Sequence, residues 1–218
     1  MFAERFAEFY DLFNDDKNYK KEIQFVNKWA GRPKTILDIG CGTANYWRFY
    51  HPKQILTGIE QSPMMSGRSA YSRKIQTANI QRCVFNKKIK YDCVTSIFDV
   101  INYIPDHSWW KSLPIKKGGY FIFDIFDREK VDKEGFKSTI KNRGNIERYI
   151  RPMEYKDGKA ILKIYLTGYN PQEFFTSESH RLFIWSHRDI KRFAGRCFEI
   201  VEVKKTKMWQ TWYKLRRK

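Results

Sequence analysis

Phe2, Phe6, Phe9 and Phe13 recur at intervals of four, three and four, so four aromatic rings fall on one face of a helix that Asp15-Asp16 breaks. Tyr19, Ile23, Val26 and Ala30 repeat the helical spacing in a second segment, which stops at Gly31-Arg32-Pro33. Apolar runs at about 34–40, 55–60, 75–78, 91–97 and 120–124 then read as strands, the last introduced by a turn at Lys117-Gly118-Gly119. Pro63, after Gln61-Ser62, sits in the first turn of a helix behind the second strand. Strand and helix in alternation predict a mostly parallel sheet. After Asp127 the pattern changes. Runs at 146–154 and 160–168 flank Lys156-Asp157-Gly158, a hairpin signal, with Leu162, Ile164 and Leu166 on one face. A third run, His180 to Trp185, joins them. Ser186-His187-Arg188-Asp189 reads as a capping box for a helix ending at Gly195, and strands at about 198–204 and 209–216 close the chain as a hairpin.

The most informative stretch is 36–45, Ile-Leu-Asp-Ile-Gly-Cys-Gly-Thr-Ala-Asn. A buried strand runs into two glycines one residue apart, and bare backbone there allows a ligand to approach closely. Residues 43–50 are expected to form a helix whose first N–H groups face the same site. A dinucleotide fingerprint requires a third glycine, and Asn45 occupies that position. Asp38 places a carboxylate at the end of the strand, suited to a cationic amino-acid group. Glu60, twenty positions after Gly40, ends the second strand and suits bidentate bonding to ribose hydroxyls. The predicted class is therefore α/β, Rossmann-like and doubly wound. It has a mostly parallel seven-stranded sheet, a C-terminal antiparallel hairpin and a small antiparallel sheet inserted at about 128–184. The chain, 1–218, is read as one domain with a helical lid at 1–32.

Composition narrows the classes. The sequence has 218 residues, enough for one core, and no apolar run long enough to span a membrane. The first residues lack a basic segment followed by an apolar one, so no secretory signal is read. Cys41, Cys83, Cys93 and Cys197 are scattered without a C-x-x-C, as in a reduced cytoplasmic protein. Cys41, inside the glycine turn, is expected to pack there. No cluster has metal-ligand spacing, so no metal is expected. The net charge of +18 favours anionic partners, although a lysine-rich solubilising surface accounts for it equally well. The densest basic clusters are Lys204-Lys205-Thr206-Lys207 and Arg216-Arg217-Lys218.

The Asp-x-Gly-x-Gly turn together with Glu60 resembles the first two motifs of class I S-adenosylmethionine (SAM) methyltransferases. Three further phrases extend the likeness over about residues 5–205. They are Phe9-Tyr10-Asp11-Leu12-Phe13 with Lys17-Asn18-Tyr19, then Ser96 to Tyr103, then Glu178-Ser179-His180-Arg181-Leu182-Phe183. This set resembles the enzymes that dimethylate nucleotide-linked amino sugars, and the related glycine- and sarcosine-type N-methyltransferases. The resemblance implies SAM as cofactor. It places Gly40, Cys41 and Gly42 under the methionine portion, with Asp38 beside them, Glu60 on the ribose, and Gln61 and Met64 beside the adenine. Asn79, where the family has an aspartate, would accept from the adenine amino group, with Ile80 adjacent. Ile97 and Phe98 would cover the sulfonium side, and Tyr10 and Tyr19 would bond the amino-acid end.

For catalysis the candidates are His180, Tyr10 and Asp99, with Asn102, Tyr103, His180 and Arg181 facing the acceptor. A protonated amine must lose a proton before it attacks, and His180 titrates in a useful range. A structural role for His180, bonded to Glu178 or to backbone, is the competing reading. The expected acceptor is a small polar amine or hydroxyl compound, anionic or phosphate-bearing. The charge favours a second reading, methylation of nucleic acid (RNA cap, ribose or base). Against it, the segment after the fourth strand lacks the Asn/Asp-Pro-Pro-Tyr/Phe motif that grips a flipped base. The edges of the inserted sheet could pair with a second copy to give a homodimer, or the insertion could simply roof the cleft.

Overall fold

The computed structural model describes residues 4–169, 173–206 and 209–218. Phe2 of the aromatic stripe and Lys207 of the basic cluster lie outside the described residues. Helix α1 (Glu4–Phe13) buries Phe6 and Phe13, and α2 (Tyr19–Trp29) buries Tyr19, Ile23 and Val26, as the spacing predicts. Asn18 caps α2 by accepting from the Lys21 N–H, and Ser62 caps the short α3 (Pro63–Gly67) by accepting from the Met65 N–H.

The main sheet has seven strands: β1 (Thr35–Ile39), β2 (Ile55–Glu60), β3 (Ile75–Thr77), β4 (Tyr91–Ser96), β5 (Ile115–Phe126), β10 (Phe198–Lys205) and β11 (Gln210–Arg217). Their order is β10-β11-β5-β4-β1-β2-β3, parallel from β3 through β5 and antiparallel at β11 and β10. The order reverses at β1, between β2 and β4, and a doubly wound fold places its crevice at that point. One face of the sheet packs Trp110, Phe121, Phe123 and Tyr213 against α5 (His187–Ala194); the other packs Ile36, Cys93 and Ile122 against α2 and Trp47.

Two local expectations are corrected. Residues 43–50 do not form an α-helix; Asn45–Phe49 is a 3-10 segment preceded by Ala44 in a left-handed conformation. Lys117-Gly118-Gly119 does not precede β5 but forms a bulge inside it, where the register with β4 shifts between Tyr91 and Cys93. A β-carbon on Gly119 would lie 2.7 Å from the Asp92 carbonyl, so only glycine fits there.

After α4 (Arg128–Glu134) comes a four-stranded antiparallel sheet: β6 (Thr139–Arg143), β7 (Ile146–Lys156), β8 (Lys159–Gly168) and β9 (Phe174–Phe183), in that order. Asp157 and Gly158, both at positive φ, make the tight β7–β8 turn. Strand β6 and the first half of β9 are additions to the sequence reading. On the inner face of this sheet Ile150, Ile164 and Leu166 pack on Phe6, Phe9 and Phe13 of α1, and Leu162 packs with Ala160 and Leu182. The aromatic stripe of α1 is thus buried against the inserted sheet. No helix among the described residues is long and apolar enough to cross a membrane.

Candidate active site

A cavity of about 390 Å³ opens at the carboxyl ends of β1, β2 and β4, within the range of small-molecule sites. One wall is the glycine turn. Gly40 has φ +69°, and a β-carbon there would lie 2.4 Å from Val100 Cγ1; Gly42 has φ +58°. The Gly40 N–H donates to the Ile59 carbonyl at 2.7 Å, so the turn is fastened to β2. Glu60 closes the corner. Its Oε2 accepts from the Gly42 N–H (2.9 Å) and its Oε1 from the Ser62 N–H (2.7 Å). Burial raises this carboxyl above its ordinary range, and those N–H groups pull it back. A carboxylate offers about four lone-pair sites, and with the Gln61 N–H also bonded to it one remains for a ligand.

Gly40, Cys41, Gly42, Glu60, Gln61, Asn79, Ile80, Ile97 and Phe98 all line the cavity, as do Tyr10 and Tyr19. Burial pushes the Cys41 thiol far up, so this sulfur packs and does not ionise. Gly58 leaves room for it: a β-carbon there would sit 2.6 Å from Cys41 Sγ. Asn79 accepts from the Gln81 N–H at 2.9 Å, which aims its side chain along the cavity rim. Tyr19 stacks on Tyr46 (5.9 Å) and meets Phe98 edge-on (5.3 Å).

Four expected site residues lie elsewhere. Asp38 does not reach the cavity. It is fully buried, accepting from Tyr46 Oη (2.6 Å), Trp47 Nε1 (2.6 Å) and Thr95 Oγ1 (2.8 Å), so both oxygens are committed to the fold. Met64 is 40% exposed, and its neighbour Met65 lines the cavity in its place. Asn102 is buried as a clamp, donating to the Phe183 carbonyl (2.6 Å) and accepting from the Phe126 N–H (3.0 Å). Arg181 is exposed, on the opposite face of β9 from His180.

The other wall comes from the inserted sheet and from the 3-10 segment Val100–Tyr103. His180 is buried there. Its Nε2 lies 2.6 Å from Glu178 Oε1 and its Nδ1 lies 3.0 Å from Tyr103 Oη. An ionised Glu178 only accepts, which leaves Nε2 as the donor and Nδ1 as the acceptor from the Tyr103 hydroxyl. Shielding of that hydroxyl, then its anionic neighbours, keeps the phenol protonated past its usual range.

Between the walls sits Asp99, with one oxygen buried and without a hydrogen-bond partner. Phe98 and Asp99 both have positive φ, a strained turn held by Asp124, which accepts from both their N–H groups (2.7 and 3.2 Å). Burial raises both carboxyls. The negative charge of Asp99 pushes Asp124 further, while Lys17 moderates Asp99. Sequence reading also missed Asp11, whose carboxylate accepts from Thr43 Oγ1 (2.8 Å) and ties α1 to the glycine turn. Arg148, Lys17 and Gln81 on the cavity wall were missed too. Among the described residues no group of three or more His, Cys, Asp or Glu side chains is placed to hold a metal ion.

No family model matches the sequence, and no curated protein matches it. Solved structures do. A SAM-dependent methyltransferase from Clostridium acetobutylicum superposes with a TM-score of 0.81 at 20% identity, covering 98% of each chain. The chain has the fold of these methyltransferases. DesVI from Streptomyces venezuelae has a TM-score of 0.76 at 14% identity, covering 98% of this chain and 99% of its own. The sugar N-methyltransferase KedS8 from Streptoalloteichus sp. has 0.75 at 16% identity, covering 96% and 93%. Coverage this complete means that the two N-terminal helices and the four-stranded sheet are included in the likeness of fold.

Proposed function

We propose that this protein is a SAM-dependent methyltransferase acting on the amine of a small polar acceptor. The observation that carries the reading is a single cavity with two chemically different walls. On one side is a side-chain-free turn with a carboxylate at its corner; on the other is a Glu–His–Tyr chain. The first wall fits a nucleoside: Gly40 and Gly42 present bare backbone along the cavity, and Glu60 keeps acceptor capacity for a ribose hydroxyl. SAM, when bound, supplies an electrophilic methyl on a sulfonium.

The residues of the chain hold and orient. Gly40 and Gly42 let backbone N–H groups approach the amino-acid portion, Glu60 takes the ribose, and Tyr10 and Tyr19 close over it. On the acceptor side, Tyr103 Oη hands its proton to His180 Nδ1 as it receives one from the ammonium form of the acceptor. Glu178 stabilises the imidazolium that results. The nucleotide-linked amino sugars suggested by the phrases around Tyr10 and His180 fit the sugar N-methyltransferases among the structural neighbours.

Isotopically labelled SAM incubated with the protein and a metabolite extract, followed by mass spectrometry, tests the reading. Label should appear on an amine. Failure to bind SAM or its demethylated product by calorimetry would overturn the cofactor assignment. Label transferred only to RNA would replace the small acceptor with nucleic acid.

A further inference from the structure

We infer that Arg148 is the anion receptor of the acceptor half of the cavity, holding a carboxylate or phosphate carried by the substrate far from the reacting amine. The inference rests on the reading above for the location of that half. Arg148 lies on β7, on the inner face of the inserted sheet, and lines the cavity. Its guanidinium carbon is 5.0 Å from the centre of the Phe13 ring, which covers one face of the group and leaves the N–H edge. Its Nε is buried with no hydrogen-bond partner. Neighbouring cations are satisfied: Lys141 donates to the Phe13 carbonyl and Asp16 (both 2.6 Å), and Arg143 donates to Asp15 (2.8 Å). Those pairs use the carboxylates of the α1–α2 turn, and among the described residues Arg148 makes no ion pair. A half-buried cation without a counter-charge is costly unless a ligand supplies one.

The strand register gives the spacing. Arg148 pairs with Leu166, and His180 pairs with Leu162 on the other side of β8. Four residues along a strand and two strands across separate the two α-carbons by roughly 16 Å. Both side chains project from the same face, so their working ends stay on the order of 10 Å apart. An acceptor engaging both carries its anion several bonds from its amine. An α-amino acid, with the two groups on one carbon, is too short. A phosphate- or diphosphate-bearing amine spans the distance.

The test uses Arg148→Met and Arg148→Lys in the full chain, loaded with the demethylated cofactor, with calorimetric titration of inorganic pyrophosphate, acetate and glycine. Pyrophosphate should bind the wild type, bind Arg148→Met at least tenfold more weakly, and bind Arg148→Lys at an intermediate level. Acetate binding with the same dependence would assign the anion as a carboxylate instead of a phosphate, with the receptor role intact. SAM affinity should change less than twofold in both variants. Equal pyrophosphate binding by wild type and Arg148→Met, or none by either, overturns the inference. So does a large loss of SAM affinity in Arg148→Met, which would move Arg148 to the cofactor's own carboxylate. A wild type that fails to bind SAM points to the cofactor assignment, whereas Arg148-independent anion binding points to the receptor, so the two failures are distinguishable.

Discussion

Replacing Asp38 separates a fold anchor from a cofactor ligand. Asp38→Ala orphans three buried donors, Tyr46 Oη, Trp47 Nε1 and Thr95 Oγ1. Each unsatisfied buried donor costs about 1–3 kcal/mol, so the gross loss is roughly 3–9 kcal/mol. Against that stands the carboxylate's own burial. Burial raises the Asp38 pKa from 3.8 to about 6, partly offset by its three hydrogen bonds. That net shift corresponds to roughly 3 kcal/mol of cost to the ionised form at neutral pH, which the substitution removes. The expected net destabilisation is about 0–6 kcal/mol, centred near 3 kcal/mol and read as a lower urea midpoint. The pH dependence gives a second signature. Because the folded pKa is the higher one, the fold binds more protons than the unfolded chain between about 3.8 and 6. Stability from this group is therefore fully present below that window and lost as pH rises through it. Asp38→Asn, which keeps the shape, should lack this slope, so the wild type should gain about 2 kcal/mol relative to it between pH 7 and pH 4. SAM affinity, measured by calorimetry where each variant is folded, should fall no more than the unfolded fraction explains. An unchanged midpoint with SAM binding abolished would refute the reasoning and return Asp38 to the cavity.

Glu60→Ala should weaken SAM binding by about 1.5–3 kcal/mol in calorimetry, as expected for hydrogen bonds to a charged group; unchanged affinity removes Glu60 from the site. Gly40→Ala combines positive φ with a β-carbon 2.4 Å from Val100, so it should lower the melting temperature and SAM affinity together, and a wild-type melting curve would count against the turn geometry. Tyr103→Phe and His180→Asn should each depress turnover and flatten its pH profile between pH 6 and 9 with SAM affinity retained; wild-type profiles would clear the proposed relay. His107 is buried among Trp110, Trp185 and Phe193 at 5.0, 4.9 and 4.4 Å with neither ring nitrogen bonded, and burial lowers its pKa from 6.5 to about 3. Its stability contribution is present above pH 6.5 and lost as pH falls, so relative to His107→Leu the wild type should lose about 2 kcal/mol between pH 7 and 5, and an NMR titration showing ordinary protonation of His107 would contradict the burial argument.

Periodicity made the fold legible because each main element buries one continuous face. The stripes of α1 and α2, the alternation in β8 and the Asp157-Gly158 turn are local signals that tertiary packing left unchanged. Strand β6 was illegible for a physical reason: Thr139–Arg143 has a single apolar side chain, and Lys141 and Arg143 are held by acidic residues more than a hundred positions earlier. At the site, backbone-determined residues read well. Glycines at positive φ and a carboxylate ending a strand depend on chain geometry alone. Asp38 was misplaced because a central strand with both faces covered offers its side chain no route to a ligand, and its partners Tyr46 and Trp47 arrive only when the following segment winds as a 3-10 turn. Arg181 was avoidable: successive side chains on a strand point to opposite faces, so an inward His180 already turns Arg181 outward. The same rule exposes Arg148, a lone charge alternating with the apolar Ile146 and Ile150.

The division of the cavity between two sheets bears on how substrate choice is separated from cofactor chemistry. The proposed cofactor wall is made by β1, β2 and β4 of the main sheet, whose parallel hydrogen bonding fixes the glycine turn and Glu60 together. The proposed acceptor wall, Arg148, Glu178 and His180, hangs on a separate sheet that touches the main-sheet side through Tyr103. Substitutions on the inner face of the insertion should therefore alter acceptor selection without disturbing SAM binding, whereas changes at Asp38 or Gly40 act on the strand and turn of the cofactor wall. Asp124 is the exception that locates the joint. It lies at the end of β5 in the main sheet, yet it holds the strained Phe98–Asp99 turn against which both walls close. Loss of that carboxylate should loosen both halves at once.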